Sequence, residues 1–242
     1  MKSLSIETVL TYRHRLMAVA ILVLSTLMSL GLLVVRWLAV GHLLYRFLVW
    51  DLFLAWVPFW ISLAIYVLHA RGSSNRRLLL GLSIAWLLFF PNAPYLLTEF
   101  VHLGFRHDGA WWCDLVITIG FAWNGLMLGL LSLYCMQKVV RERFDARRGR
   151  WMAAAVLLLG SFGISLGRFE RFNSWDVIRH PFSLAAGVAD QFVHPEAYPR
   201  PFAIAVLLCA FMTLAYLALW TLVMLNQDEV CQSERWTREV TA

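Results

Sequence analysis

The chain has 242 residues, 60% of them hydrophobic and 15% charged, with 12 Trp and 16 Phe. Soluble domains carry about 25% charged residues, so this composition argues against a water-soluble globule and for a polytopic membrane protein. The net charge of +6 would suit nucleic acid, but in a membrane chain it is a topology signal, because Lys and Arg gather on the cytoplasmic side.

A bilayer crossing takes about 20 mostly apolar residues. Six such runs follow one another, at about 16–37, 48–70, 78–101, 112–138, 151–169 and 202–226. The first is preceded by Arg13 and Arg15 and followed by Ala39-Val40-Gly41, which imitates a signal-peptide cleavage site. Its apolar stretch, Leu16–Val35, exceeds the usual 7–15 residues of a signal core, so it reads as the first membrane helix. The expected fold is an all-α, polytopic helical bundle, a single domain over residues 1–242.

The basic residues set the orientation. Of the 21 Lys and Arg, 14 fall at one set of span ends, including Arg71, Arg76, Arg77 and the run from Lys138 to Arg150. The other set holds 7: Arg36, Arg46, Arg106, Arg168, Arg171, Arg179 and Arg200. This ratio puts both termini in the cytoplasm. Asp51, Glu99, His102, Asp114, Asp176 and His180 then lie at the outer face. The basic inner loop is a surface for anionic lipid and not a nucleic-acid site.

The third run contains FFPNAPYLLTEF, with Pro91 and Pro94 inside the apolar stretch. Each proline lacks an N–H and crowds the carbonyl four residues back, here Leu87 and Phe90, so a kink or break is expected. Asn92 could supply donors to the freed carbonyls. If the helix resumes, Tyr95, Glu99 and His102 share a face, and a carboxylate three residues from an imidazole suits an acid–base pair or metal ligands. Between the fifth and sixth runs, Phe182, Ala186, Ala189 and Val193 repeat at helical spacing, which predicts a short helix in the outer interface.

Asp114 follows Trp111 and Trp112 at the start of the fourth run. It is a candidate acid, or a first-turn residue favoured by the helix dipole. Asn124 stands about 15 Å deeper at 1.5 Å per residue, where an amide bridges helices more often than it binds ligand. The densest polar cluster is Gly167–Asp176, GRFERFNSWD. Arg168, Arg171 and Trp175 form a helical stripe suited to phosphate or carboxylate. Asn173, Ser174 and Asp176 read as a helix end or turn, and Asp176 and His180 make a second carboxylate–imidazole pair. The alternative is that Arg168 and Arg171 pair with Glu99, Asp114 or Asp176 and tie helix ends together. The four cysteines, Cys113, Cys135, Cys209 and Cys231, show no metal-like spacing.

FPNAPYLLTEFVHL, the following WCDL, and GRFERFNSWD together resemble a bacterial membrane protein family known as domain of unknown function 1361, from about the second span to the sixth. The resemblance implies a multi-pass protein of the bacterial cytoplasmic (inner) membrane, with the first span and the C-terminal tail outside the family's core. It brings no catalytic role with it.

Three functions compete. In the first, the protein is an enzyme on a phosphate-bearing lipid or lipid-linked substrate. Glu99, His102, Asp114 and Asp176 would then be catalytic, and Asn92, Tyr95, Arg168, Arg171, Asn173 and Trp175 would bind substrate. Glu99, His102, Asp176 and His180 are the candidate ligands of a divalent metal. In the second, the third span makes the protein a transporter or flippase. In the third, it is a non-catalytic membrane assembly protein whose polar cluster locks helices together. The sequence names no reaction, substrate, protein partner or oligomeric state.

Overall fold

The computed structural model describes residues 6–41, 45–72, 75–103, 111–169, 186 and 199–240. Among them every regular element is helical. Six helical segments are long and apolar enough to cross a membrane: Met17–Val40, Phe47–Ala70, Arg76–His102, Trp111–Arg143, Ala146–Phe169 and Pro199–Met224. The interfacial helix expected near residues 182–193 lies outside the described residues.

Helix α1 runs from Ile6 to Val40 and α2 from Phe47 to Ala70. α1 outlasts the apolar run at its far end and carries Arg36 inside the spanning segment. Its Leu24, Leu27, Val35 and Leu38 are exposed, as side chains turned to lipid are. α3 spans Arg76–Phe89. Asn75 caps it, its side chain accepting the Leu78 amide at 3.1 Å, which satisfies one of the free N–H groups of a helix start.

α3 stops where Pro91 and Pro94 withhold their amide donors. A turn at Phe90 and Pro91 leads into a single α-turn, α4 (Asn92–Tyr95), and then a 3-10 helix, Leu96–His102. The polar groups here are met locally, as an apolar setting demands. Asn92 Nδ2 donates to the Phe89 carbonyl at 3.1 Å, and Ala93 N to that of Phe90 at 3.2 Å. Thr98 Oγ1 donates to the Tyr95 carbonyl at 2.7 Å. One expectation is corrected: the chain does not resume as an α-helix after Tyr95. A 3-10 helix has three residues per turn, so Glu99 and His102 align while Tyr95 sits about a third of a turn away.

α5 (Trp111–Arg143), α6 (Ala146–Phe169) and α7 (Pro199–Val240) complete the chain. The chain forms two compact units, residues 1–67 with 73–132, and residues 68–72 with 133–242. The first unit has a buried core that includes Leu22, Leu33, Leu52, Ala93, Ile117 and Phe121. Gly125 and Gly129 on α5 let the PNAPY segment approach closely. A Cβ on Gly125 would meet the Leu96 side chain at 2.8 Å and press on the Ala93 carbonyl, and one on Gly129 would meet Pro94 Cδ at 3.3 Å. Small residues at such spacing are the usual means of close backbone approach between membrane helices. In the second unit, α6 and α7 pack together. Ser165 Oγ donates to the Pro201 carbonyl at 2.8 Å, Phe162 meets Phe202 edge-on at 5.9 Å, and the Tyr216 hydroxyl donates to Gln137.

Candidate functional site

The polar groups of the first unit form three constellations. The first is Glu99 with His102. The 3-10 turn stacks them, and His102 Nε2 lies 3.5 Å from Glu99 Oε2. Their environments differ sharply: the Glu99 side chain is 3% exposed and that of His102 48%. Phe47, at the start of α2, meets the imidazole edge-on at 5.3 Å between ring centres. A buried carboxylate therefore faces a ring that is held on one side and open on another. At 3.5 Å the approach is electrostatic and longer than a hydrogen bond; a neighbouring carboxylate favours the charged form of an imidazole.

The second constellation surrounds Asp114 in the first turn of α5. Both of its oxygens are occupied. Arg36 Nε donates to Oδ1, and Arg36 Nη2 and the Tyr45 hydroxyl donate to Oδ2 at 3.1 and 3.2 Å. The Arg36 guanidinium also lies 5.3 Å from the centre of the Tyr45 ring. Arg36 is 2% exposed and Asp114 4%. Such a pair is kept by two-point hydrogen bonding in a dry setting. Arg36 Nη1 is buried with no hydrogen-bond partner. By sequence, Arg168 and Arg171 are the arginine partners expected for the outer acids, and Arg36 counts only as a span-end charge; in the structure Arg36 takes that place at Asp114. An ionisable residue inside an apolar run needs a partner nearby, and that signal could have pointed to Arg36.

The third constellation is centred on Asn124, fully buried on α5. Its Nδ2 donates to Ser29 Oγ at 2.9 Å and reaches the carbonyls of Gly120 and Ser25 at 2.8 and 3.3 Å. Its Oδ1 accepts from Thr26 Oγ1 at 3.3 Å, and that hydroxyl accepts the Trp56 indole N–H at 3.2 Å. Asn124 thus bridges α1 and α5, and Trp56 brings in α2.

The remaining candidates are placed as follows. Asn92 is engaged with the Phe89 carbonyl. Tyr95 closes α4 and is half-buried. Arg168 stands in the last turn of α6, in the second unit, where a cation suits the helix dipole. Arg171, Asn173, Trp175, Asp176 and His180 lie outside the described residues. Among the described residues, no three His, Cys, Asp or Glu side chains gather as a metal site. Among the described residues, Cys113 and Cys209 are free thiols.

No curated protein and no solved structure matches the chain. A family model does, over residues 50–216. The match takes in the PNAPY turn, the acid at the head of α5 and the polar signature after α6, and leaves α1 outside. It covers well over half of the chain, which therefore belongs to the family described as protein of unknown function DUF1361.

Proposed function

We propose that the protein is an enzyme acting on a phosphate-bearing lipid or lipid-linked substrate at the outer face of the bacterial cytoplasmic membrane, with His102 as its acid–base group. The carrying observation is the asymmetry of the Glu99–His102 pair: the carboxylate is buried and the imidazole half-exposed. A positioned imidazole is the commonest proton-transfer group at neutral pH, and Glu99 orients it. Asp114 has a holding role, because both its oxygens are engaged. Both termini lie in the cytoplasm, which follows from the 14-to-7 distribution of the basic residues.

The test is turnover in vesicles. Purified protein is reconstituted with phosphatidylglycerol and a polyprenyl diphosphate, and the lipids are followed by mass spectrometry. Loss or transfer of a phosphate-bearing headgroup is expected with the wild type and not with His102→Ala. Absence of turnover on both lipids, or turnover untouched by His102→Ala, would sink the reading. Metal content of the same preparation tests whether Glu99 and His102 take part in ligating a divalent ion; such a metal would be lost in Glu99→Gln.

A second reading, a non-catalytic assembly protein, is favoured by the closed Arg36–Asp114 pair, which spends an acid on tying α1 to α5. It expects Arg36→Ala to lower the melting temperature and leave cellular function per folded molecule unchanged.

A further inference from the structure

α1 lies ahead of the segment that the family model matches, residues 50–216, yet two buried polar groups of that segment take their partners from it. Asp114 takes Arg36; Asn124 takes Ser29, Thr26 and the Ser25 carbonyl. The face of α1 turned to α5 runs Leu22, Thr26, Ser29, Leu33, Arg36, in alternating steps of four and three. α5 answers with Asp114, Ile117, Phe121, Asn124 and Leu128, in steps of three and four, all buried. Both spacings average 3.5, the period of a left-handed helix pair.

The hydrogen bonds set the register. With Arg36 opposite Asp114 and Thr26 opposite Asn124, the helices are antiparallel. Leu33 then falls level with Ile117, and Leu22 with Leu128; all four belong to one buried cluster. Gly120 permits the approach, since a Cβ there would meet Ser29 Oγ at 2.8 Å. A slip of one turn would leave the guanidinium and the carboxylate unpaired among leucines, which a membrane interior penalises heavily. Single polar layers are known to specify register and partner in helix pairs, and this seam has two.

We propose that this face of α5 is a helix-docking surface of the family segment, and that α1 is its resident partner. The partner it fits is a membrane helix entering antiparallel, with hydroxyls at i and i+3 and a guanidinium at i+10. Those groups hold it, and its covalent link to α2 is dispensable for docking. The inference is independent of the proposed enzyme chemistry.

The test uses the full chain. A protease site is placed at residues 42–44, and the purified protein is cut in mild detergent. α1 is expected to stay bound through size-exclusion chromatography, and a labelled peptide of residues 17–41 to exchange into the cut protein. Arg36→Leu with Asn124→Leu should lower retained α1 by at least about a hundredfold, and the Arg36→Leu peptide should compete at least about a hundredfold worse, a difference of ~2.8 kcal/mol. Arg36→Asp alone should release α1, and Asp114→Arg added to it should restore retention. Release of wild-type α1 on cutting would overturn the proposal. So would retention and competition unaffected by the leucine variants, which would make the seam merely apolar. Should the double variant fail to fold, competition between the two peptides on cut wild-type protein decides alone.

Discussion

Arg36 and Asp114, 78 residues apart in the chain, meet as a two-point ion pair with both side chains more than nine-tenths buried. Their attraction is strong because water is absent, and removal of one partner is costly for the same reason. A lone buried charge left behind destabilises by about 3–5 kcal/mol, whereas apolar replacement of both partners is often neutral. Asp114→Ala and Arg36→Ala should each lower the melting temperature in detergent by several degrees. Arg36→Leu combined with Asp114→Leu should recover most of that loss. Two additive losses in the double variant would mean that the residues do not act as a pair.

Gly125 and Gly129 are separable by the same kind of measurement. A methyl group at 125 meets the Leu96 side chain at 2.8 Å and the Ala93 carbonyl, which belongs to the backbone and cannot rotate away. Gly125→Ala should cost about 1–3 kcal/mol, the usual penalty of overpacking. At 129 the nearest atom is Pro94 Cδ at 3.3 Å, so Gly129→Ala needs a shift of only a few tenths of an ångström. Its effect on the melting temperature should be clearly smaller than that of Gly125→Ala.

The membrane spans were legible because a bilayer imposes a run of about 20 apolar residues, a local property of sequence. The partners inside the PNAPY turn were less legible: the prolines point Asn92 to the carbonyls of Leu87 and Phe90, whereas it donates to that of Phe89, and Phe90's takes the Ala93 amide. The Gly125–Gly129 spacing is also readable, as a GxxxG in an apolar helix. What the sequence hides is which distant groups meet. Arg36, near the end of an apolar run, counts in a charge tally like any loop arginine. Only the antiparallel register of α1 and α5 brings it to Asp114. The switch from α to 3-10 after Tyr95, which aligns Glu99 with His102 and turns Tyr95 aside, has no local sequence signature.

Asn124 carries hydrogen bonds to α1 that its deletion would orphan. Asn124→Leu keeps the branched shape but leaves the Ser29 and Thr26 hydroxyls without the amide. Hydrogen bonds between membrane helices average about 0.6 kcal/mol and reach ~1.7, so the variant should lose about 1–3 kcal/mol. Asn124→Asp is expected to be worse than Asn124→Leu, because it buries a carboxylate with no cation beside it. A melting temperature for Asn124→Asp at or above that of Asn124→Leu would contradict the bridging role.

The Glu99–His102 pair separates folding from function. His102 is 48% exposed, so His102→Ala removes little buried area and should leave the melting temperature within a degree or two of wild type. Its headgroup turnover should fall about 10²–10⁴-fold, the usual contribution of a general acid–base group. Glu99 is 3% exposed, and Glu99→Gln keeps its shape while removing the charge that orients the imidazole. A partner of this orienting kind is worth about 10–100-fold, so Glu99→Gln should reduce turnover less than His102→Ala. The double variant should be no worse than His102→Ala alone, because Glu99 acts through the ring. If Glu99→Gln is instead as damaging as His102→Ala, and the two losses multiply in the double variant, Glu99 contacts the substrate itself and the division of labour argued from their burial is wrong.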